Sequence, residues 1–188
     1  MRRLSMFVSN SVDGYFTDVA GSMSWAHRRA EDSEWQSYIE RNARGNATLL
    51  FGRKTYEMMV AYWPTPMAAQ TDPLFAERMN TAHKVVFSRT MESADWRNTR
   101  LVRTDAVEEV RTMKEEPGED LVILGSGSLV AQLAAAGLID EFQIVIVPVA
   151  LGAGRTIFDG LDHNIELSLT ESRAFKNGNV FVRYEPVR

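Results

Sequence analysis

Three stretches of the chain place small, hydroxyl or cationic residues directly after a short apolar run. "LLF" leads into Gly52, Arg53, Lys54 and Thr55; "VVF" leads into Ser88, Arg89 and Thr90; "VIL" leads into Gly125, Ser126, Gly127 and Ser128, followed by Leu129. Glycine lets a ligand approach the backbone, and hydroxyl and guanidinium groups contact phosphate oxygens. Where such a stretch opens a helix, the free N–H groups and the positive end of the dipole add to the attraction for anions. The first and third stretches are followed by helical patterns. Together the three suit a ligand carrying several phosphates. Each on its own is equally compatible with a tight turn and solvated surface charge.

Other chemistries find little support. The 188 residues contain no cysteine, which removes thiolate metal sites and a cysteine nucleophile. His27, His83 and His163 lie far apart, without metal-ligand spacing. "GSGSLV" has Val130 where the dinucleotide pattern G-x-G-x-x-G needs its last glycine. Neither a Walker sequence nor a G-x-S-x-G elbow occurs. The net charge of -4 argues against a general nucleic-acid binder, so the basic residues at the strand ends act locally. No apolar run approaches a membrane span, and the N-terminus lacks a signal-peptide pattern. The expectation is a soluble cytoplasmic protein with a small-molecule ligand.

The elements that position these stretches alternate. Residues 4–9 ("LSMFVS") read as a strand, and residues 10–25 as a long loop rich in Gly, Ser and Asp. Trp35, Tyr38, Ile39 and Asn42 or Ala43 fall at helical spacing, predicting an amphipathic helix over about 31–44. "ATLLF" is a strand, and Tyr56, Met59, Val60 and Trp63 form the stripe of a helix ending before Pro64. Asp72-Pro73 opens a short helix. "KVVFS" is a strand, and Asp105 with Glu108 reads as a capping box for a helix reaching about Glu115. "LVIL" has the uniform apolarity of a strand buried on both faces. The helix after "GSGS" ends at Gly137, and "EFQIVIVPV" follows as a strand. Lys176-Asn177-Gly178-Asn179 predicts a type I′ turn joining two antiparallel strands. Alternating strands and helices imply a mainly parallel sheet with helices on both faces, in one domain over 1–188.

The assembled motifs resemble the dihydrofolate reductase-like superfamily over nearly the whole chain. Within it the likeness is to the C-terminal reductase domain of the bifunctional riboflavin-biosynthesis deaminase-reductase and its stand-alone bacterial relatives. "SVDGYFTDVAGSMSW" is similar to the first-strand exit and active-site loop of that family, and "LLFGRKTYEMM" to its cofactor-phosphate helix start. "VVFSRT" resembles the strand holding the adenosine 2′-phosphate. "LVILGSGSLVAQLAAAGLIDEFQIVIVPVALGAG" resembles the pyrophosphate loop with its helix and next strand. "LGAGRTIFDG" and the "NGNVFVRYE" hairpin also fit.

This resemblance implies an NADPH-dependent reductase of a small heterocyclic or sugar-linked substrate. Gly52, Arg53, Lys54 and Thr55 would hold phosphates, Ser88 and Arg89 would lie near the 2′-phosphate, and Gly125, Ser126, Gly127, Ser128 and Leu129 would cover the pyrophosphate. Classical dihydrofolate reductases place a carboxylate early in the first helix; here that position falls near Trp35, with Asp32 and Glu34 as neighbours. Asp13 matches the riboflavin-type pattern instead. Asp13, or Glu34 through a water, is expected as proton donor, with a loop-bracing role as the other reading of Asp13. The substrate wall is expected from Trp25, Trp35, Tyr38, Tyr56 and Trp63. The rival functions are a dihydrofolate reductase and a nucleotide-binding regulatory protein without catalysis. The apolar "FQIVIV", taken as lying near a sheet edge, suggests a homodimer.

Overall fold

A computed structural model describes residues 1–27, 32–43 and 45–187. The chain's parallel strands are β1 (Leu4–Ser11), β3 (Ala47–Gly52), β4 (Lys84–Phe87), β5 (Thr99–Val102), β6 (Asp120–Leu124) and β7 (Glu141–Val147). Two antiparallel strands, β9 (Leu167–Ala174) and β10 (Val180–Pro186), complete an eight-stranded sheet in the order β5-β4-β3-β6-β1-β7-β10-β9. A separate two-stranded ribbon joins β2 (Tyr15–Thr17) to β8 (Arg155–Thr156). The helices are α1 (Ser33–Ala43), α2 (Arg53–Tyr62), α3 (Pro66–Thr71), α4 (Pro73–Thr81), α5 (Ala106–Glu115) and α6 (Gly127–Ala135). None of the described helices is long and apolar enough to cross a membrane.

Local chemistry accounts for most boundaries. Asp72 caps α4, its Oδ1 accepting from Phe75 N at 3.2 Å with Pro73 in the first turn. Asp105 caps α5 by accepting from Val107 N and Glu108 N, but Glu108 pairs with Arg111 and does not return to close a capping box. Gly137, at φ 65°, ends α6 with Leu138 N donating to Leu133 O. The ends of the helix expected over 31–44 fall on residues outside those described.

Several expectations are corrected. β1 continues to Ser11, and the supposed loop 10–25 contains β2 and the start of a short 3-10 turn, Ser24–His27. β5 and α3 carry no strong sequence pattern, although Thr65-Pro66 repeats the cap-and-proline signal of α4. The closing hairpin is not type I′. Phe175 N donates to Asn179 O and Gly178 N to Phe175 O, with positive φ at Gly178 and not at Asn177. That is a three-residue loop whose left-handed residue is glycine. "FQIVIV" is interior, paired with β1 on one side and β10 on the other, so it offers no free edge to a second copy. The edges of the sheet are β5 and β9.

Three apolar packs hold the sheet. One face carries α5 and α6, packed on Leu4, Met6, Val8, Leu121 and Ile123. The opposite face carries two packs. Tyr56, Met59 and Met79 of α2 and α4 cover Leu49, Phe51 and Val86, while Trp35, Tyr38 and Ile39 of α1 cover Val145, Val147 and Phe181.

Candidate active site

β6 and β1 are the two middle strands of the eight, so both faces should be covered. On the α5/α6 face they are: Leu4, Met6, Leu121 and Ile123 are 0 % exposed. On the other face Ser5, Phe7, Ser9, Val122 and Leu124 are only half-buried. The register sets Phe7 beside Leu124, yet Phe7 belongs to the α1 pack and Leu124 to the α2/α4 pack. The seam between the two packs therefore runs along β6 and β1, where the sheet is only partly covered between α1 and α2. Its floor is apolar, with Ser5 and Ser9 as the polar points, and Thr55, Met59 and Trp35 are half-buried on the flanking helices. Such a cleft suits a flat ring inserted edgewise between two helices.

The three chemically suggestive stretches meet at one end of this cleft. β4, β3 and β6 are neighbours in the sheet, so their carboxyl ends lie side by side. Gly52 N donates to Ser126 Oγ at 2.9 Å, joining the start of α2 to the start of α6. Ser126 Oγ also donates to Leu124 O at 3.1 Å. Ser126 adopts φ 57° and ψ 53°, a left-handed conformation that is unfavourable for a side-chain-bearing residue. Its two hydrogen bonds hold it there, and strain of this kind gathers at ligand sites. A Cβ on Gly125 would lie 3.6 Å from Thr55 Cγ2, so the two turns are in near contact.

The cations at this end differ in commitment. Arg53 pairs with Glu57 at 3.0 Å. Lys54 and Arg89 are exposed and have no hydrogen-bond or ion-pair partner among the described residues. Ser88 Oγ accepts from Thr90 N and Met91 N, which shapes the turn that presents Arg89. Ser128 is exposed in the first turn of α6. As first-turn amides, those of Gly127 and Ser128 have no intrahelical acceptor. Leu129 does not share this role: its side chain is 3 % exposed in the core, and its N–H donates to Ser126 O. The missing side chain of Gly127 has a separate use: a Cβ there would come within 2.6 Å of Phe16 Cζ, so this glycine makes room for an aromatic ring of the protein.

The expected proton donors are committed elsewhere. Asp13 accepts from Ser11 Oγ at 2.6 Å, from Leu151 N at 3.0 Å and from Gly152 N at 2.7 Å. The Ser11 hydroxyl, then the Gly152 amide, hold its carboxyl down to about 2, with the Leu151 amide adding to them. It braces the loop after β1 against the loop after β7, and at neutral pH it carries no proton to give. Glu34 pairs at 2.6 Å with Arg173 of β9, the edge strand four places from β6 in the sheet. Asp32 caps α1 through Glu34 N and Trp35 N, and its Oδ2 accepts from Asn177 N of the β9–β10 turn. Burial pushes the Asp32 carboxyl up, but the backbone donors together leave it below its usual range.

The expected aromatic wall divides. Trp35 is half-buried, edge-on to Phe175 at 5.0 Å. Trp25 and Tyr38 are core residues at 7 % and 6 % exposure, and Tyr38 OH donates to Glu171. Tyr56 is equally buried, its hydroxyl accepting from Trp96 N. Trp63 caps the far end of α2, about 15 Å from its first residue, stacked on Phe75. Periodicity marks these residues as inward-facing but does not say whether they face core or cleft.

Residues 2–181 match the family described as RibD C-terminal domain. The chain belongs to that family. YyaP, an uncharacterized protein of Bacillus subtilis (strain 168), is 28 % identical over 183 residues, covering 97 % of this chain and 94 % of YyaP. A proposed riboflavin biosynthesis protein from Shewanella sp. PV-4 superposes with a TM-score of 0.74 at 22 % identity, covering both chains fully. Dihydrofolate reductase from Enterococcus faecalis, complexed with NADP(H) and RAB-propyl, superposes with a TM-score of 0.64 at 14 % identity, over 99 % of this chain and 97 % of that one. The RibD C-terminal domain seen here thus has a dihydrofolate reductase-like fold. Its partly covered strip and the side-by-side ends of β4, β3 and β6 lie on neighbouring strands of the same sheet.

Proposed function

We propose that this protein is an NADPH-dependent reductase of a small planar heterocycle, a pyrimidine-type ring with or without a sugar attached. The observation that carries this reading is the partly covered strip over β1 and β6, which opens beside three strand ends whose residue types suit phosphates. Lys54, Arg89, the first amides of α2 and α6, and Ser128 would hold the phosphates of the dinucleotide. Two uncommitted cations suit the extra 2′-phosphate that distinguishes NADPH from NADH. When bound, the dinucleotide would supply the hydride; the protein supplies position and shields the site from water.

The chain's own part follows from the contacts. Asp13 holds the loop after β1 over the carboxyl end of the central strands. Trp35 and Met59 flank the ring, and Ser9 offers the floor a polar contact. Since Asp13 braces the loop and Glu34 is tied to Arg173, the proton that follows hydride addition comes from solvent. The same commitments weigh against folate reduction, because the pterin-carboxylate position falls near Trp35 and its acidic neighbours are occupied, Asp32 as a helix cap and Glu34 by Arg173.

Titration with NADPH and NADH, followed by NADPH-oxidation assays on aminopyrimidines and dihydrofolate, tests the reading. Tighter binding of NADPH and turnover of a pyrimidine support it. Equal affinity for both dinucleotides overturns the cofactor assignment. NADPH binding without turnover of any ring substrate favours a non-catalytic nucleotide-binding protein.

A further inference from the structure

The loop leaving β1 is gripped from three sides. Asp13 takes the amides of Leu151 and Gly152, beyond β7. Thr17 pairs with Arg155 of β8, and its carbonyl lies so close to Gly154 that a Cβ there would sit 2.0 Å from the oxygen. Between these, the Phe16 ring lies against Gly127, where an added Cβ would meet Cζ at 2.6 Å and Cε1 at 2.7 Å. Phe16 is 6 % exposed and packs in the same core as Leu129 and Ile157. Close-packed interiors have no slack to absorb a shift of either partner. Gly127 follows Ser126, whose hydroxyl holds Gly52 N. A continuous line of contacts therefore runs from the start of α2, through Ser126 and Gly127, to Phe16.

We infer that Phe16 is a positioning residue that ties the loop after β1 to the first turn of α6, so that an anion bound at α6 orders the loop over the reacting ring. The inference rests on the reading of the β6–α6 turn as the pyrophosphate site. An anion drawn to the Gly127 and Ser128 amides fixes the backbone against which the ring is pressed. The ring in turn fixes Tyr15 and Thr17, which flank it in β2. Reporting dinucleotide engagement to the loop that covers the ring needs no large movement, only a loss of freedom in a segment already held at three points.

The probe is 2′-phospho-ADP-ribose, which has the pyrophosphate and 2′-phosphate but no nicotinamide ring to touch the loop. Calorimetry reads its binding, and hydrogen exchange reads the amides of Tyr15, Phe16 and Thr17. In the parent protein the probe is expected to slow exchange of these amides by at least about fivefold. Phe16→Leu, which shortens the reach to Gly127, keeps the probe's affinity within about threefold but loses the protection. Phe16→Ile, β-branched as suits a strand and likewise too short to reach Gly127, gives the same pattern and serves as the second variant. In turnover, both variants lower kcat while KM for NADPH changes little. Probe binding without any slowing in the parent, or protection retained in both variants, overturns the linkage. A probe that does not bind the parent at all overturns the pyrophosphate assignment itself, and the linkage with it; calorimetry separates that result from the others.

Discussion

Gly154→Ala is the most direct perturbation of the loop that covers the proposed site. A Cβ at this position would lie 2.0 Å from Thr17 O and 3.1 Å from Thr17 C, whereas such contacts need at least 3.0 Å. The obstacle is backbone, so no side chain can swing aside. Thr17 must retreat by about 1 Å, which stretches ordinary N–H···O bonds beyond hydrogen-bonding range and opens the β2–β8 ribbon. Overpacking of this kind costs about 1–3 kcal/mol. For a chain of this size that is a fall in Tm of about 2–12 °C. The eight-stranded sheet contains neither Thr17 nor Gly154, so its packing stays intact. Hydrogen exchange should therefore show Tyr15–Thr17 losing protection while β1, β6 and β7 keep theirs. Calorimetry supplies the stability change, and turnover should fall as the loop loosens. An unchanged Tm together with protected β2 amides would refute the argument, since the chain would then have found a way around a contact shown as blocked.

Asp13→Asn should lower turnover by less than about tenfold, against the hundredfold or more expected on losing a general acid, because the amide oxygen still accepts backbone bonds. Its carboxyl has a folded value of about 2 against 3.8 in the unfolded chain, so its stabilisation is complete above 3.8 and lost as pH falls through 2. Acid melting curves of the two proteins should converge in that window. Arg89→Ala should weaken NADPH binding about ten- to hundredfold with little effect on NADH; equal losses for both would remove Arg89 from the 2′-phosphate. Lys84, 1 % exposed, gives its ammonium to Met79 O and Ala82 O, and burial, then Arg78 and Arg97, push it from 10.5 down to about 8. Unfolded chains hold this proton up to a higher pH, so stability gains from Lys84 as pH rises from 8 to 10.5. The gain is on the order of 3 kcal/mol. Relative to Lys84→Met, the parent's Tm should climb across that range, and parallel curves would show that the ammonium is not destabilised.

The strands of the parallel sheet and the helix starts were legible because each depends on near neighbours in the chain. Apolar runs such as "LLF" and "VIL" specify buried strands, Asp72-Pro73 sets a cap, and Gly125 to Ser128 open a helix whichever strand lies alongside. Strand order was not legible. That β4, β3 and β6 are neighbours, which brings Arg89, Lys54 and Ser126 to one end of the sheet, depends on pairings between segments tens of residues apart. The same holds for burial. Tyr38 and Trp35 lie on one helix at helical spacing, yet one is sealed in the core and the other is half-buried beside the cleft, because α1 stops short of covering β6. Asp13 reads equally well as an acid or a brace until the amides of Leu151 and Gly152 arrive from 138 and 139 residues away. Local sequence sets what each segment can do, and tertiary packing decides which groups remain free to do it. A side chain's chemistry depends on the partners that fill its hydrogen bonds, and those partners are brought by the fold.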